Sequence, residues 1–212
     1  AKELYRVTKF GGVVVWVVGD ATIKGSETGT SFKQALYFKE IGFNLHDTMI
    51  YAKRNSIPLT HNRYEQQFEY MFVFSKGKPK TFNPILEETV TKEKKHHFQQ
   101  RNPDGSFRKT TGYGKPVKPT RPKYNIWFYK VGGGQSATDK IAYKHPAIFP
   151  EKLAEDHILS WSNEGDIILD PMAGSGTTLK MAKKNNRHYI GIEIAPEYID
   201  IINKRLSIEE NK

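Results

Sequence analysis

Two glycines and a carboxylate are the residues of this chain whose types and spacing best fit a small-molecule site. The stretch DPMAGSGTT, residues 170–178, places Gly174 and Gly176 on either side of a serine, between an apolar segment and a helical pattern. Glycines allow a sharp turn and let bare backbone approach a ligand, and the free amides at a helix start favour a polar group. Glu193 follows 17 residues after Gly176, where a carboxylate can accept hydrogen bonds from the two hydroxyls of a ribose. We therefore predict that this turn holds a polar cofactor.

Three classes of ligand compete for such a turn. A loop that binds nucleoside triphosphates needs a lysine where Thr177 stands, so triphosphate hydrolysis is a poor fit. A dinucleotide fingerprint needs a third glycine at the position of Leu179, which disfavours NAD. S-adenosylmethionine has no pyrophosphate and needs only the tight turn and the acid for its ribose. A plain strand-to-helix turn with a surface glutamate is the structural alternative.

The elements around this turn follow an alternating pattern. Pro150 begins a predicted helix in EKLAEDHILSWS, which is followed by a buried strand in DIILD and by a helix in TTLKMAKKN that opens directly after the glycines. A second strand in HYIGIEI and a second helix in PEYIDIINKRL complete a β-α-β-α pattern, which predicts parallel strands joined by a right-handed crossover.

The first third of the chain has the same character. GGVVVWVVGD predicts a buried strand, SFKQALYFKEIG a helix that ends at Gly42, and NLHDTMIYAKR and FEYMFVFSKG two further strands. Asp20 follows the first of these strands and is either a functional residue or a cap for the next loop, and we favour the structural role. The fold class predicted from these patterns is α/β.

Composition limits the classes of protein that remain. The 212 residues are 37% hydrophobic and 12% aromatic, enough for one domain with a sizeable core. The longest apolar run, Val13–Val18, is too short to span a membrane, and the N-terminus lacks the pattern of a signal peptide. The absence of cysteine excludes disulfides, thiolate metal sites and cysteine nucleophiles, and we assign no metal site. We expect a soluble, cytoplasmic protein without a membrane partner.

The net charge of +10 is concentrated in the middle of the chain. Residues 76–144 hold 16 lysines and arginines against 5 acidic residues, whereas the rest of the chain holds 17 against 18. Turn signals and aromatic residues are interleaved with these charges, and short strands are expected around NIWFYKV. Basic residues at this density indicate a polyanionic partner, and we predict a nucleic acid. The candidate contacts are Lys92, Lys94, Lys95, Arg101, Arg108, Lys109, Lys115, Lys118, Arg121 and Lys123.

The stretch DPMAGSGTT, followed by YIGIEI, closely resembles the cofactor motif of amino-directed DNA methyltransferases, which methylate N6 of adenine or N4 of cytosine. KHPAIFPEKLAEDHI resembles the second cofactor motif of this family, and its place before the glycine turn is that of the beta-type order. GGVVVWVVGD, GTSFKQALYFKEIGFNLHDTMIYAKR and RYEQQFEYMFVFSKGKPKTF resemble the half of the catalytic domain that follows the active-site loop. The resemblance covers nearly the whole chain and implies an α/β fold with a Rossmann-like methyltransferase sheet and a loop-rich basic insertion.

The resemblance implies three regions and a set of cofactor contacts. Residues 1–75 would be the second half of the catalytic α/β domain, 76–143 a basic target-recognition insertion, and 144–212 the part that binds S-adenosylmethionine. For His145 and Phe149, anchoring of a loop in the core is the alternative to cofactor contact. The implied contacts are Asp170, Pro171, Met172, Ala173, Gly174, Ser175, Gly176, Thr177, Thr178, Glu193, His145, Pro146 and Phe149.

One motif of the family is absent from these residues. Its catalytic tetrapeptide is Asp, Ser or Asn followed by Pro-Pro and an aromatic residue, and it holds the amino group of a flipped base. All eleven prolines of this chain are isolated, so no catalytic residue is assigned. In the family, the strand that carries the tetrapeptide lies between the DIILD and GGVVVWVVGD strands. We expect an incomplete sheet, whose two halves leave a gap, close on each other or borrow a strand.

Two hypotheses of function follow. The first is a DNA methyltransferase of a restriction-modification or phage system that acts on double-stranded DNA, with the catalytic strand supplied by another segment or chain, so that these residues alone are inactive. The second is a non-catalytic remnant that binds DNA or the cofactor. An RNA methyltransferase and an NAD enzyme are more distant alternatives. The target base, the recognised sequence and the oligomeric state cannot be read from the residues.

Overall fold

The computed structural model describes residues 1–54, 63–90, 95–132 and 134–208. By their internal contacts they divide into two compact units, the first made of Ala1–Asn83 and Asn125–Lys212 and the second of Pro84–Tyr124. The second unit lies within the segment predicted as a basic insertion, and the three-part division at 75 and 143 remains a prediction. In the described part of the chain, no helix is long and apolar enough to cross a membrane.

The helices and strands predicted from the apolar periods of the sequence are present, together with shorter elements that those periods did not predict. In chain order they are α1 (Lys2–Val7), β1 (Val13–Val18), β2 (Thr22–Ile23), β3 (Ser26–Glu27), α2 (Thr30–Ile41), β4 (Asn44–Lys53), β5 (Phe68–Ser75), β6 (Leu86–Glu88), β7 (Gln99–Arg101), β8 (Phe107–Lys109), β9 (Thr120–Pro122), β10 (Ile126–Tyr129), a 3-10 turn (Ile141–Lys144), α3 (Glu151–Trp161), β11 (Ile167–Asp170), α4 (Thr177–Lys184), β12 (His188–Gly191) and α5 (Pro196–Ser207). The short strand expected within NIWFYKV is β10.

The first unit contains a mixed sheet and a separate parallel pair of strands. The mixed sheet has the order β1-β5-β4-β10, in which β5 runs antiparallel to β1 and β4, and β10 runs parallel to β4. Strands β11 and β12 pair in parallel on either side of α4 in the chain, as the β-α-β pattern predicted. Among the described residues, no ladder of hydrogen bonds joins the two sheets. Of the three arrangements expected for an incomplete sheet, this is the gap.

The strands flanking this gap are less buried than predicted. We expected GGVVVWVVGD and DIILD to be buried strands, but every residue of β1 is only half-buried, and Ile167 of β11 is 56% exposed. Both strands are edge strands in the described structure, since β1 pairs only with β5 and β11 only with β12. Edge strands have fewer covering neighbours than central ones, which explains the difference.

Aromatic side chains attach α2 to the mixed sheet. Phe38 of α2 stacks on Phe74 of β5 with ring centroids 4.5 Å apart, and Phe43 and Phe72 complete the buried cluster. The helix ends at Gly42, which has a φ of 119°. The backbone amide of Gly42 donates hydrogen bonds to the carbonyls of Phe38 and Lys39, which closes the last turn. Its start is bound by Asp20, which accepts hydrogen bonds from the amide and hydroxyl of Ser31. The cap interpretation of Asp20 is therefore confirmed.

Helix α3 packs on both sheets of the first unit. Ala154 and Ile158 form a cluster with Met181 and Ala182 of α4, against which Ile168 of β11 also packs. On the side of the mixed sheet, the His157 ring lies 4.7 Å from that of Trp127, and the Tyr129 hydroxyl donates to Asp156 at 2.8 Å. Helix α3 thereby links β10 to the elements of the glycine turn.

The second unit is a small β structure. Strands β6 and β9 pair antiparallel, and β7 and β8 form a hairpin around the turn NPDGS. Asp104 accepts hydrogen bonds from the amide and hydroxyl of Ser106, which closes the turn. The residues between Pro84 and Tyr124 include ten lysines and arginines against four acidic residues.

Candidate cofactor site

The glycine turn joins β11 to α4 and has the conformation that its glycines were expected to provide. Gly174 and Gly176 both have left-handed backbone, with φ of 51° and 76°. Asp170 accepts a hydrogen bond from the amide of Met172, and the amide of Ala173 donates to the carbonyl of Ile192. The turn is therefore bound both to its own strand and to the segment that follows β12.

Little space surrounds the two glycines. A Cβ atom on Gly176 would lie 2.9 Å from Ile202 of α5, and one on Gly174 would lie 3.2 Å from the Nε2 atom of His145. Helix α4 begins immediately after Gly176. The first amides of a helix have no intrahelical acceptor and favour an electronegative group. The turn thus combines close packing behind the backbone with hydrogen-bond donors at the start of α4.

Glu193 lies against this turn, as the sequence predicted for an acid at the end of the second strand. Its Oε2 accepts the amide of Gly174 at 2.8 Å, and its Oε1 accepts the amides of Ile194 and Ala195 at 2.8 and 3.0 Å. The hydrogen bonds from the amides of Ala195 and Gly174 lower the pKa of Glu193 below its ordinary value. The side chain is a carboxylate at neutral pH.

The segment His145–Phe149 also reaches the turn. The His145 ring lies 3.2 Å from the position that a Cβ on Gly174 would take and 4.3 Å from the ring of Tyr198 on α5. Its Nδ1 accepts the amide of Ala147 at 3.1 Å. Pro146 is exposed. Phe149 packs against the cluster between α3 and α4, which is the anchoring role that the sequence left open for it.

The remaining predicted cofactor residues fall into two groups. Pro171 and Thr178 are half-buried, and Met172 is 66% exposed. Ser175 and Thr177 are buried, and both hydroxyls receive hydrogen bonds from Arg205, at 3.2 and 3.0 Å. The backbone of the turn is consequently better placed than these two hydroxyls to meet a ligand.

Sequence reasoning missed several residues that hold the site together. Tyr198 and Arg205 of α5, Lys180 of α4, and Asp139 and Glu151 before and within α3 all contact the turn or its partners. One signal was available, because Arg205 follows Ile201 and Ile202 at helical spacing and therefore lies on the buried face of α5. Its partners were not readable, since they come from three separate parts of the chain, around Asp139, Glu151 and Ser175.

The predicted nucleic-acid contacts lie in the second unit. Lys92 and Lys94 are outside the described residues. Lys95, Arg101, Arg108, Lys109, Lys115 and Lys118 are exposed, and Arg121 and Lys123 are half-buried. Aromatic rings lie beside three of the cations, since Arg101 is over Phe107, Lys109 over Tyr113, and Arg121, 3.5 Å from the ring centroid, over Tyr124. Arg121 also pairs with Glu87.

Comparison with known proteins gives a consistent result. A family model described as DNA methylase, for N6- and N4-directed enzymes, matches residues 1–204. The orphan methyltransferase M.BamHII of Bacillus amyloliquefaciens is 60% identical over 97% of this chain and 78% of its own length. The type II methyltransferase M.MthZI of Methanothermobacter thermautotrophicus is 28% identical, and the chain spans 56% of its length.

Solved structures show the fold. The complex of M1.HpyAVI with S-adenosylmethionine is 25% identical, with a TM-score of 0.67 over 98% of this chain and 80% of that one. The cytosine-N4-specific PvuII DNA methyltransferase is 19% identical, with a TM-score of 0.68 over 96% of this chain and 66% of that one. The fold is the Rossmann-like fold of DNA methyltransferases.

Proposed function

The chain belongs to the DNA methylase family, and we propose that its glycine turn binds S-adenosylmethionine for methylation of adenine N6 or cytosine N4 in double-stranded DNA. The observation that carries this proposal is the contact of the Glu193 carboxylate with the amide of Gly174 at 2.8 Å. It brings the acid expected to bind a ribose to the turn expected to bind the rest of the cofactor. The names of M.BamHII and of the type II relatives support a role in DNA modification.

The residues present fit this cofactor. A carboxylate offers about four acceptor positions, and the three amides on Glu193 leave one of them, on Oε2, for a ribose hydroxyl. A second hydroxyl requires one of these amides to move. The left-handed Gly174 keeps a side chain out of the approach, and His145 and Tyr198 form an aromatic wall beside it.

S-adenosylmethionine, when bound, supplies an electrophilic methyl group on a sulfonium. The chain's own residues would bind and orient it: Glu193 through the ribose, and the start of α4 through its free amides. His145 would limit the movement of the turn, because its ring lies close to the position that a Cβ on Gly174 would take. None of these groups needs to exchange a proton during the reaction.

Calorimetric titration with three ligands tests the proposal against its alternatives. S-adenosylmethionine should bind with one-to-one stoichiometry, whereas ATP and NAD should give no comparable heat, because the turn lacks the lysine and third glycine that their phosphates need. Tighter binding of NAD or ATP than of S-adenosylmethionine would contradict the proposal.

The second unit is the proposed DNA-binding region. Its excess of basic residues, most of them exposed and several placed on aromatic rings, supports contact with the phosphate backbone. Charge reversal at Lys92, Lys94 and Lys95 should flatten the dependence of duplex affinity on salt. An unchanged slope in a folded variant would locate the binding elsewhere.

These 212 residues by themselves are proposed to be inactive in methyl transfer. The support is the absence of a Pro-Pro-aromatic sequence from the chain and the two unjoined sheets of the described structure. The family match and the 60% identity to M.BamHII favour a DNA methyltransferase over the alternative, a non-catalytic protein that binds DNA or the cofactor. A transfer assay with labelled cofactor on duplex DNA, with M.BamHII as the positive control, should show no turnover by this chain. Robust turnover would reveal a catalytic group outside the known motif, with the loop around Asp20 as the first place to look.

A further inference from the structure

Among the residues that the structure describes, Arg205 is the largest side chain that is almost completely buried, with 1% of its surface exposed. Its guanidinium uses all three nitrogens. Nη1 donates to the Ser175 carbonyl at 2.7 Å, Nη2 donates to Glu151 at 2.8 Å, and Nε donates to Asp139 at 2.9 Å. A planar fork of five N–H donors is suited to joining several acceptors whose positions must be fixed relative to one another.

The acceptors of Arg205 belong to both segments proposed to hold the cofactor. The Ser175 carbonyl lies between the two left-handed glycines, and the amide of the same peptide plane, that of Gly176, donates to the Ala173 carbonyl at 2.7 Å. That peptide is therefore held at both ends. Asp139 and Glu151 stand six residues before and six residues after His145, so the guanidinium also binds both ends of the segment that carries His145.

The charges around the guanidinium are balanced. Lys180 of α4 is 5% exposed and donates to Asp139 at 3.1 Å and to Glu151 at 3.0 Å, so two cations face two carboxylates. Burial alone would raise the pKa of Asp139, but the amide of Ala142 and the side chains of Arg205 and Lys180 outweigh it and lower that pKa. Each of the two carboxylates therefore has two cationic partners in this interior site.

We propose that Arg205 is a positioning residue for the cofactor site. Arg205 fixes the position of the glycine turn relative to the His145 segment. The inference rests on the proposed binding of S-adenosylmethionine. It goes beyond that proposal because Arg205 contacts neither the exposed side of the turn nor Glu193, and acts only through residues that do. A lysine at this position keeps the charge but has a single donor centre, which cannot bind Ser175, Asp139 and Glu151 in the same geometry.

Arg187 provides a matched control for the loss of a buried guanidinium. It is 8% exposed and also binds acceptors from separate segments, donating to the carbonyls of Ser162 and Asn185 at 2.8 and 2.6 Å. These acceptors lie before β11 and after α4, away from the glycine turn. Arg187→Lys therefore measures how the loss of a buried guanidinium changes the stability of the fold without a change at the glycine turn.

The experiment compares Arg205→Lys, Arg187→Lys and the parent chain by calorimetric titration with S-adenosylmethionine, at a temperature where circular dichroism shows all three to be folded. Arg205→Lys should weaken binding by about tenfold or more, which corresponds to the loss of one charged hydrogen bond, and Arg187→Lys by less than about twofold. Unchanged affinity in Arg205→Lys, or equal losses in both variants, would overturn the positioning role.

Hydrogen exchange at the amides of residues 173–178 separates this inference from the proposed function. Exchange should be faster in Arg205→Lys than in the parent and unchanged in Arg187→Lys. If the parent binds no S-adenosylmethionine, the cofactor proposal fails, and the exchange rates alone decide whether Arg205 positions the turn. Equal exchange in all three proteins would then overturn the inference as well.

Discussion

The carboxylate of Glu193 accepts a hydrogen bond from the amide of Gly174 across 19 positions of sequence. This contact joins the segment after β12 to the turn after β11, at the same edge of the parallel pair. The carboxyl ends of parallel strands are where α/β proteins bind ligands. Glu193, the glycine turn and the start of α4 therefore lie next to one another.

Gly174→Ala should reduce both the free energy of binding S-adenosylmethionine and the free energy of unfolding, and the loss of binding free energy should be the larger. Alanine at a left-handed φ costs roughly 1–2 kcal/mol of stability, and its Cβ would lie 3.2 Å from His145. The matched control is Gly165→Ala, because Gly165 has a φ of 80° but no atom within 4 Å of the position that a Cβ would take. Urea denaturation and calorimetric titration check both variants. If Gly174→Ala and Gly165→Ala bind the cofactor with equal affinity, a close approach of the cofactor to the backbone of Gly174 is not required.

The extent to which the sequence alone predicts this site depends on the range of the contacts. The turn, the start of α4 and the choice of Glu193 as a candidate follow from local residue types and spacing, and the structure brings Glu193 and Gly174 together. Phe149 could not be assigned in advance, because its place between α3 and α4 depends on how those helices pack. Arg205 was missed because the residues that it binds lie up to 66 positions away from it in the sequence.

Burial of strands was the weakest inference from the sequence, for a related reason. An apolar run such as Val13–Val18 predicts a strand from its own residues, but its burial depends on neighbours contributed by other segments. The same limit applies to sheet order. The parallel pairing of β10 with β4 joins residues that are 76 positions apart, such as Ile126 and Ile50, and no local pattern indicates it.

Neutralising two exposed lysines of the second unit should reduce the salt dependence of DNA binding. Lys115→Ala combined with Lys118→Ala removes two candidate phosphate contacts, and each contact contributes about 0.9 to the slope of log affinity against log salt. The slope should therefore fall by about 1.8. Lys33→Ala with Lys39→Ala, two exposed lysines of α2, is the matched control and should leave the slope unchanged. Equal slopes in both double variants would place the phosphate contacts outside this pair.

His157 should make the fold less stable at mildly acidic pH. Burial lowers the pKa of His157 to about 3, whereas the unfolded chain has the ordinary value of about 6.5. Between these values the unfolded state binds more protons, so stability rises with pH and is lost as the pH falls below about 6.5. The expected loss from this group between pH 7 and pH 5 is about 2 kcal/mol.

Urea denaturation at pH 7 and pH 5 measures this effect. His157→Phe, which keeps a ring beside Trp127 but cannot be protonated, should remove about 2 kcal/mol of the difference between the two pH values. His188→Gln changes an exposed histidine at the start of β12 and should leave the difference as it is in the parent. A parent chain with no loss of stability at pH 5 would contradict the neutral, buried state of His157.

The affinity of Glu193→Gln for S-adenosylmethionine is the most direct test of the central claim, that the glycine turn and Glu193 form one cofactor site. The glutamine keeps the size of the side chain but removes the charge and one acceptor, and a hydrogen bond to a charged group contributes about 1.5–3 kcal/mol. Titration calorimetry should therefore show affinity reduced by about 10- to 100-fold. Glu197→Gln, on the exposed first turn of α5, should bind as the parent does. Equal affinities of the parent and Glu193→Gln, with both proteins folded, would contradict the assignment of the site.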